Sequence, residues 1–199
     1  NTIHFFLPVI FISLTLLCLA ENDEMDESKL SEAFCDLTDL LSLEFIYSES
    51  FLDTAATLQK GLEYLEKRSA VSRGGGRVKI QPDKRDELVL FAKAVQDFLE
   101  SYLIVCDTIL QIKKKMSRKE IIFEIRKNGI KLFHLGEVKL TESLSMPNYE
   151  NAIARLDRED VFEKIPTGKK QVDMLVKNET RAGEMKGRIE RYLRPLQKA

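Results

Sequence analysis

The 199-residue chain carries 31 basic and 32 acidic residues, and its formal net charge of −1 excludes the global positive field of a nucleic-acid-binding surface. Its length suits one domain or two small ones. Cys18, Cys35 and Cys106 lie too far apart to read as a disulfide frame or a zinc site, and they point to reduced core thiols in an intracellular protein.

The chain begins with Asn1 rather than Met, so it is expected to be a fragment of a longer product. Residues 3–19 form a nearly unbroken apolar run, with Pro8 near its start, where a missing N–H costs little. As a helix the run spans about 25 Å, slightly less than the roughly 30 Å hydrocarbon core of a bilayer. Three readings stay open: a buried or membrane-contacting helix, a signal peptide, and a spanning helix. Cys18-Leu-Ala20 is a small-x-small match, but no Lys or Arg precedes the run. Phe5, Phe6, Phe11 and Leu16 are its candidate contacts, to a membrane or to a neighbouring domain.

Residues 21–27 predict an acidic, solvated linker. Ser28 or Ser31 starts a helix to about Phe45, with Leu30, Phe34, Leu37, Leu40 and Leu41 inward. Ser50 or Asp53 caps the next helix, in which Leu58, Leu62 and Leu65 repeat at helical spacing. The turn 73–77 separates two β-prone pieces, 70–71 and 78–80. Two helices, a glycine turn and a strand resemble a winged-helix arrangement.

Residues 86–112 predict a central core helix. Leu88, Phe91, Val95, Phe98, Tyr102, Val105, Ile109 and Ile112 alternate spacings of three and four, and Leu99, Leu103, Cys106 and Leu110 make a second stripe. Each such buried side chain is worth roughly 1.5–3 kcal/mol, so other helices must cover them. Ser117 then caps a helix to about Phe133, stopped by Gly136. Pro147 starts another, to about Arg158. Gly61-Leu62, Leu65 and Val71 recur as Ala152-Ile153, Leu156 and Val161, a weak internal repeat. Leu175, Ile189, Leu193 and Leu196 are the anchors of a polar, basic tail expected to be helical. The fold class is therefore mainly α: a multi-helix bundle around one long central helix, with winged-helix-like helix-turn-hairpin elements. It divides into the apolar helix 1–20, a helical region 21–165 and a loosely docked tail 166–199.

Catalytic signatures are missing. Neither His4 nor His134 has a Cys or carboxylate at metal-ligand spacing. Gly74–Gly76 lacks the GK[ST] ending of a phosphate loop. No catalytic, cofactor-binding or metal residue is assigned, and no cofactor is expected. On the helix before the hairpin, Asp53, Lys60, Glu63, Glu66, Lys67 and Arg68 nearly cancel, although Arg73, Arg77 and Lys79 could touch phosphate. The basic run 113–119 could hold an anionic membrane surface at about 1 kcal/mol per basic residue.

Several pieces, in order, resemble one family. Asn1-Thr-Ile-His4-Phe5 before an apolar helix resembles the segment that follows the catalytic domain in glycerol-3-phosphate acyltransferases. Phe98-Leu99-Glu100-x-Tyr102 is similar to that family's Pro-Phe-x-acidic-x-Tyr motif. Glu142-Ser143-x-Ser145, then Asn151-Ala152 and Val161, is similar to its Glu-Ser-x-Ser…Asn-Ala…Gly-Val segment. Asp97 stands where the family usually has Pro, and Asp160 where it often has Gly. The family's catalytic His-x-x-x-x-Asp is absent: His4 is followed at that spacing by Val9, and His134 by Lys139.

The resemblance therefore implies the non-catalytic C-terminal region of a glycerol-3-phosphate (or dihydroxyacetone phosphate) acyltransferase of phospholipid biosynthesis. The catalytic half would precede Asn1, and the region would support it and hold it at a membrane. The implied partners are the catalytic domain of the same polypeptide and a membrane surface, with acyl-CoA or acyl-carrier protein reached only through that domain. The implied location is the cytoplasmic face of a bacterial inner or mitochondrial outer membrane. The alternative is a non-enzymatic winged-helix-like interaction or nucleic-acid-binding module, with nucleic acid the less favoured partner.

Overall fold

The computed structural model describes residues 2–47, 51, 53–166 and 172–197, with the side chains of 2–5 and 172 outside the description. The fold is mainly helical, as expected. Two compact units are formed, one of Asn1–Val95 with Arg194–Ala199 and one of Gln96–Leu193. The sequence itself marks no boundary at 95, where apolar spacing continues.

The first unit opens with α1, Thr2–Leu19. It continues with β1 (Glu24–Asp26), α2 (Glu27–Leu40), α3 (Thr54–Lys67) and the hairpin β2 (Val71–Gly74) and β3 (Arg77–Ile80). After the hairpin comes α4, Arg85–Ala92. Helix α1 packs against α2, α3 and α4. Its near-total apolarity follows: Leu7, Phe11, Ile12, Leu14 and Leu16 are each fully covered. Gly61 on α3 is the point of closest approach, because a Cβ there would lie 2.5 Å from Ile12 Cδ1 and 3.1 Å from Pro8 Cβ. Because the helix begins at Thr2, Pro8 lies beyond its first turn and removes an interior hydrogen bond, not an end one.

The stretch expected as a solvated acidic linker contains β1. Met25 is buried while Glu24 and Asp26 flank it, and Arg77 across the register pairs with both, at 3.0 and 3.6 Å. Three residues are too few for period-two alternation to be read in a sequence. Of the two proposed caps, Asp53 accepts from Ala56 N at 3.1 Å, while Ser50 lies outside the described residues. Gly75 and Gly76 have φ of 60° and 74°, the conformation that a tight hairpin turn requires. Helix α2 stops at Leu40, short of Phe45, and the chain turns at 41–44.

The long central helix is replaced by two. Helix α4 ends at Ala92, a 3₁₀ turn occupies Lys93–Val95, and α5 runs Gln96–Gln111. A 3₁₀ turn advances about 120° per residue against 100° in an α-helix, so three residues rotate the apolar stripe by about 60°. Spacings of three and four persist through such a turn, which is why the sequence shows one helix where two separate units each take a piece.

The second unit continues from α5 with β4 (Met116–Ser117), α6 (Arg118–His134), α7 (Met146–Arg158), the hairpin β5 (Phe162–Pro166) and β6 (Val172–Val176), and α8 (Glu179–Gln197), whose residues from Arg194 on count with the first unit. Ser117 and Glu120 form a reciprocal capping box at the start of α6, and Gly136, with φ of 72°, follows its end. Strand β6 lies within the tail 166–199 that the sequence predicts as helical, because pairing with β5 supplies a partner that spacing along the chain does not show. In the tail helix α8, Ile189, Leu193 and Leu196 are buried.

The two units repeat one another. In each, a long first helix is followed by a short strand, two helices and an antiparallel hairpin. The sheet orders β1-β3-β2 and β4-β6-β5 correspond strand for strand. The match extends to the joint before the hairpin. Ser69 (φ 57°) and Asp160 (φ 60°) both stand in the left-handed region just after their helices. Ala70 N donates to Leu65 O at 2.9 Å and Val161 N to Leu156 O at 3.1 Å, the same closing bond. The weak internal repeat is thus one architecture used twice, in a register that sets Val161 opposite Ala70 and not opposite Val71.

Candidate functional site

The sequence motifs on α5 and before α7 meet around one carboxylate. Glu100 has no exposed surface. It accepts from Ser143 Oγ at 2.7 Å, Gln96 Nε2 at 2.8 Å, Leu140 N at 3.1 Å and Lys139 N at 3.1 Å. Ser101 Oγ lies 2.8 Å from the carbonyl oxygen of Ser143 and accepts from Asn148 Nδ2 at 3.2 Å. Ser145 Oγ donates to Asn148 Oδ1 at 3.3 Å, and Tyr102 is fully buried beside this stretch of helix. Burying a carboxylate costs several kcal/mol unless donors surround it, and here they do. The arrangement clamps the 3₁₀ turn Thr141–Leu144 onto α5. Closed to solvent and fully engaged, Glu100 offers a substrate no base.

Of the other motif residues, Glu142 is exposed and accepts from Thr141 Oγ1 at 3.1 Å, and Phe98 and Asn151 are half-buried. Asn1 and the side chain of His4 lie outside the described residues. Gln96, Ser101 and Asn148 belong to the network but were not singled out from the sequence. Their only signal is polarity beside Glu100 and Ser145 in otherwise apolar stripes.

Asp97, where the family usually has Pro, occupies the first turn of α5, a position that tolerates a missing N–H. Burial raises its carboxyl above the usual range, helped by the charges of Glu142 and Glu100. Asp160 stands at a left-handed position, which explains a preference for Gly there, and its carboxylate pairs with Lys177 at 3.0 Å.

Among the described residues no cluster of His, Cys, Asp and Glu is placed to hold a metal. His134 is exposed at the end of α6. Of the thiols expected in the core, Cys106 is buried, Cys18 is half-buried and Cys35 is exposed on α2. Burial pushes the Cys106 thiol up to about 12, which makes it a core group and not a nucleophile. Of the hairpin cations offered for phosphate, Arg73 binds Glu66 and Gln59 at 2.6 and 2.7 Å and Arg77 binds Glu24 and Asp26, while Lys79 is exposed and forms no ion pair among the described residues.

The apolar contact residues of α1 face protein. Phe11 and Leu16 are fully buried, and Phe6 packs on Tyr64 and Phe91 at ring distances of 5.9 and 6.5 Å. The side chain of Phe5 is outside the description. Among the described residues no helix is long and apolar enough to cross a membrane.

A cleft of about 620 Å³ opens between the end of α5, β4 and α6. Its cations are Lys113, Lys114, Lys127 and Lys131, against Glu124. Lys113 is tied to Glu179 at 2.9 Å and Lys127 approaches Glu124 at 3.9 Å. Lys114 and Lys131 form no ion pair among the described residues. Behind the cleft, Asp107 accepts from Lys186 at 2.7 Å and from Asn128 at 3.0 Å. Burial raises the Asp107 carboxyl, but the bonds from Lys186 and Asn128 outweigh it and hold the group below its ordinary value. With that acid neutralised, the cleft has a cationic wall suited to an anion.

Comparison with known proteins agrees with the motif order. Residues 1–165 match the model of a family described as the glycerol-3-phosphate acyltransferase C-terminal region. The chain is also 27% identical over 161 residues to a dihydroxyacetone phosphate acyltransferase of Mus musculus. That alignment covers 80% of this chain and 23% of the mouse protein, so the chain spans under a quarter of the relative's length.

Proposed function

Since the chain belongs to the glycerol-3-phosphate acyltransferase C-terminal family, we propose that it is the non-catalytic, supporting region of such an enzyme. The reaction of the whole enzyme is acyl transfer: the hydroxyl oxygen of glycerol 3-phosphate, or of dihydroxyacetone phosphate, attacks a thioester carbonyl. The carbon–sulfur bond breaks, the thiol leaves, and a base takes the hydroxyl proton. In the family that base is the His of His-x-x-x-x-Asp, which this sequence does not contain.

The observation that carries the reading is the Glu100 network. Residues of the two family-like motifs, Glu100 and Ser143, are bonded to each other at 2.7 Å and sealed from solvent. Motif residues that are buried and saturated fit a scaffold and not a reaction centre. The region would steady the catalytic domain and, through its cationic surface, help hold the enzyme at a membrane, where acyl products partition. The test is to assay the 199-residue chain alone for acyl transfer from an acyl thioester to glycerol 3-phosphate. No turnover is expected, and measurable turnover would overturn the proposal.

A further inference from the structure

We infer that the outward face of α6, with Leu135 just beyond it, lies on an anionic lipid surface. This rests on the membrane association proposed above and names the surface that makes it. The inner side of α6 is held by Ile121, Ile125 and Leu132, all buried. Its outer side carries Lys119, Arg126, Lys127 and Lys131 as exposed cations, against the exposed carboxylate of Glu120 and the part-exposed one of Glu124. Among these cations stand Phe123 and Ile130, 65% and 49% exposed, and Leu135 follows at 61%.

Single exposed apolar residues are ordinary, and Ile46 and Leu90 elsewhere are of that kind. Three within one cationic arc are different. An aromatic and two aliphatic side chains surrounded by Lys and Arg are what a helix lying in the headgroup layer needs. The apolar groups enter the acyl boundary while the cations meet lipid phosphates. Lys127 and Lys131 belong both to this face and to the cleft of about 620 Å³, which leaves room for a headgroup phosphate between them and Lys114. Charge complementarity selects an anionic membrane over a neutral one.

The test is co-sedimentation of the 199-residue chain with vesicles of phosphatidylcholine, alone or mixed with phosphatidylserine. The expected result is pelleting with the mixed vesicles only, released by added salt. Replacing Lys127→Gln and Lys131→Gln together should weaken binding about thirtyfold, at about 1 kcal/mol per cation removed. Replacing Phe123→Ser and Ile130→Ser should weaken it about tenfold or more. All four positions are exposed, so folding is retained, as circular dichroism would verify. Leu90→Ser, an exposed apolar change in the other unit, should leave binding intact. If the wild type pellets with anionic vesicles and both double variants pellet equally well, this face is refuted while membrane association stands. If the wild type pellets with neither vesicle, both readings are lost.

Discussion

Helices α1 and α5 hold the same place in their units, each packed against the two helices that follow the short first strand. They solve the problem of burial in opposite ways. Helix α1 has no charged residue at all and is covered by apolar contact with α2, α3 and α4. Helix α5 carries Glu100 into its core and Asp107 to its edge, and its neighbours supply donors to both. One unit is therefore held by shape and the other partly by directed bonds. An apolar interface tolerates small displacements, whereas a carboxylate with four donors fixes one position of the 138–145 segment. The duplicated architecture thus hosts two different kinds of core, and the family-like motifs lie in the bonded one.

The largest expected effect tests that contrast directly. Glu100→Ala leaves the amides of Lys139 and Leu140 and the Ser143 hydroxyl without their acceptor, and should destabilise the second unit by about 3–5 kcal/mol. Hydrogen exchange should show protection lost within 96–193 and kept within 2–95. Equal loss in both would mean that the two do not fold as distinct units.

Close helix approach is the next point of comparison. Gly129→Ala would place a Cβ 2.6 Å from Tyr149 Oη and 3.3 Å from Ile104 Cγ2. It should cost about 1–3 kcal/mol by overpacking, more than the helix propensity it gains. Gly61→Ala meets Pro8 as well as Ile12 and should cost about the same. Tyr149 Oη is buried without a hydrogen-bond partner among the described residues, and burial pushes it up to about 12. Tyr149→Phe should therefore leave thermal stability equal or higher and reduce the penalty of Gly129→Ala. A double-mutant cycle by thermal melting measures both.

Asp107 gives a smaller, pH-dependent signature absent from α1. Its folded pKa lies below its ordinary value, so its contribution is full above the unfolded pKa of about 3.9 and fades as pH falls through the folded one. Asp107→Asn should cost about 1–2 kcal/mol in urea unfolding at neutral pH, with the difference from wild type shrinking in strong acid. A gap unchanged with pH would assign the loss to packing and not to the Lys186 bond.

The smallest effect sharpens the duplication itself. Ser69→Gly and Asp160→Gly relieve equivalent left-handed residues and should each raise stability by about 0.5–1 kcal/mol in chemical denaturation. The gain at 160 should be the lower one, since the ion pair with Lys177 is lost. Opposite signs at the two positions would argue against equivalent joints.

Much of this protein is local and was therefore readable. Helical periodicity, the Asp53 and Ser117 caps, the stop at Gly136, the glycine hairpin and the order of the family-like motifs each depend on residues a few positions apart, and sequence by itself determined them. The absence of a catalytic signature was equally plain. What only the tertiary structure decided is whatever joins distant residues. Strand β1 exists because Arg77 and Val78 lie opposite it, some fifty residues away. The break at Lys93–Val95 leaves apolar spacing intact and is visible only as a change of partners. Ser143 reaches Glu100 across 43 positions, and the cationic arc of α6 is recognisable only once its other side is known to be buried. Spacing along a chain records which face of an element is apolar, but not what the element is packed against, because packing energy depends on neighbours that the chain brings together only when it folds.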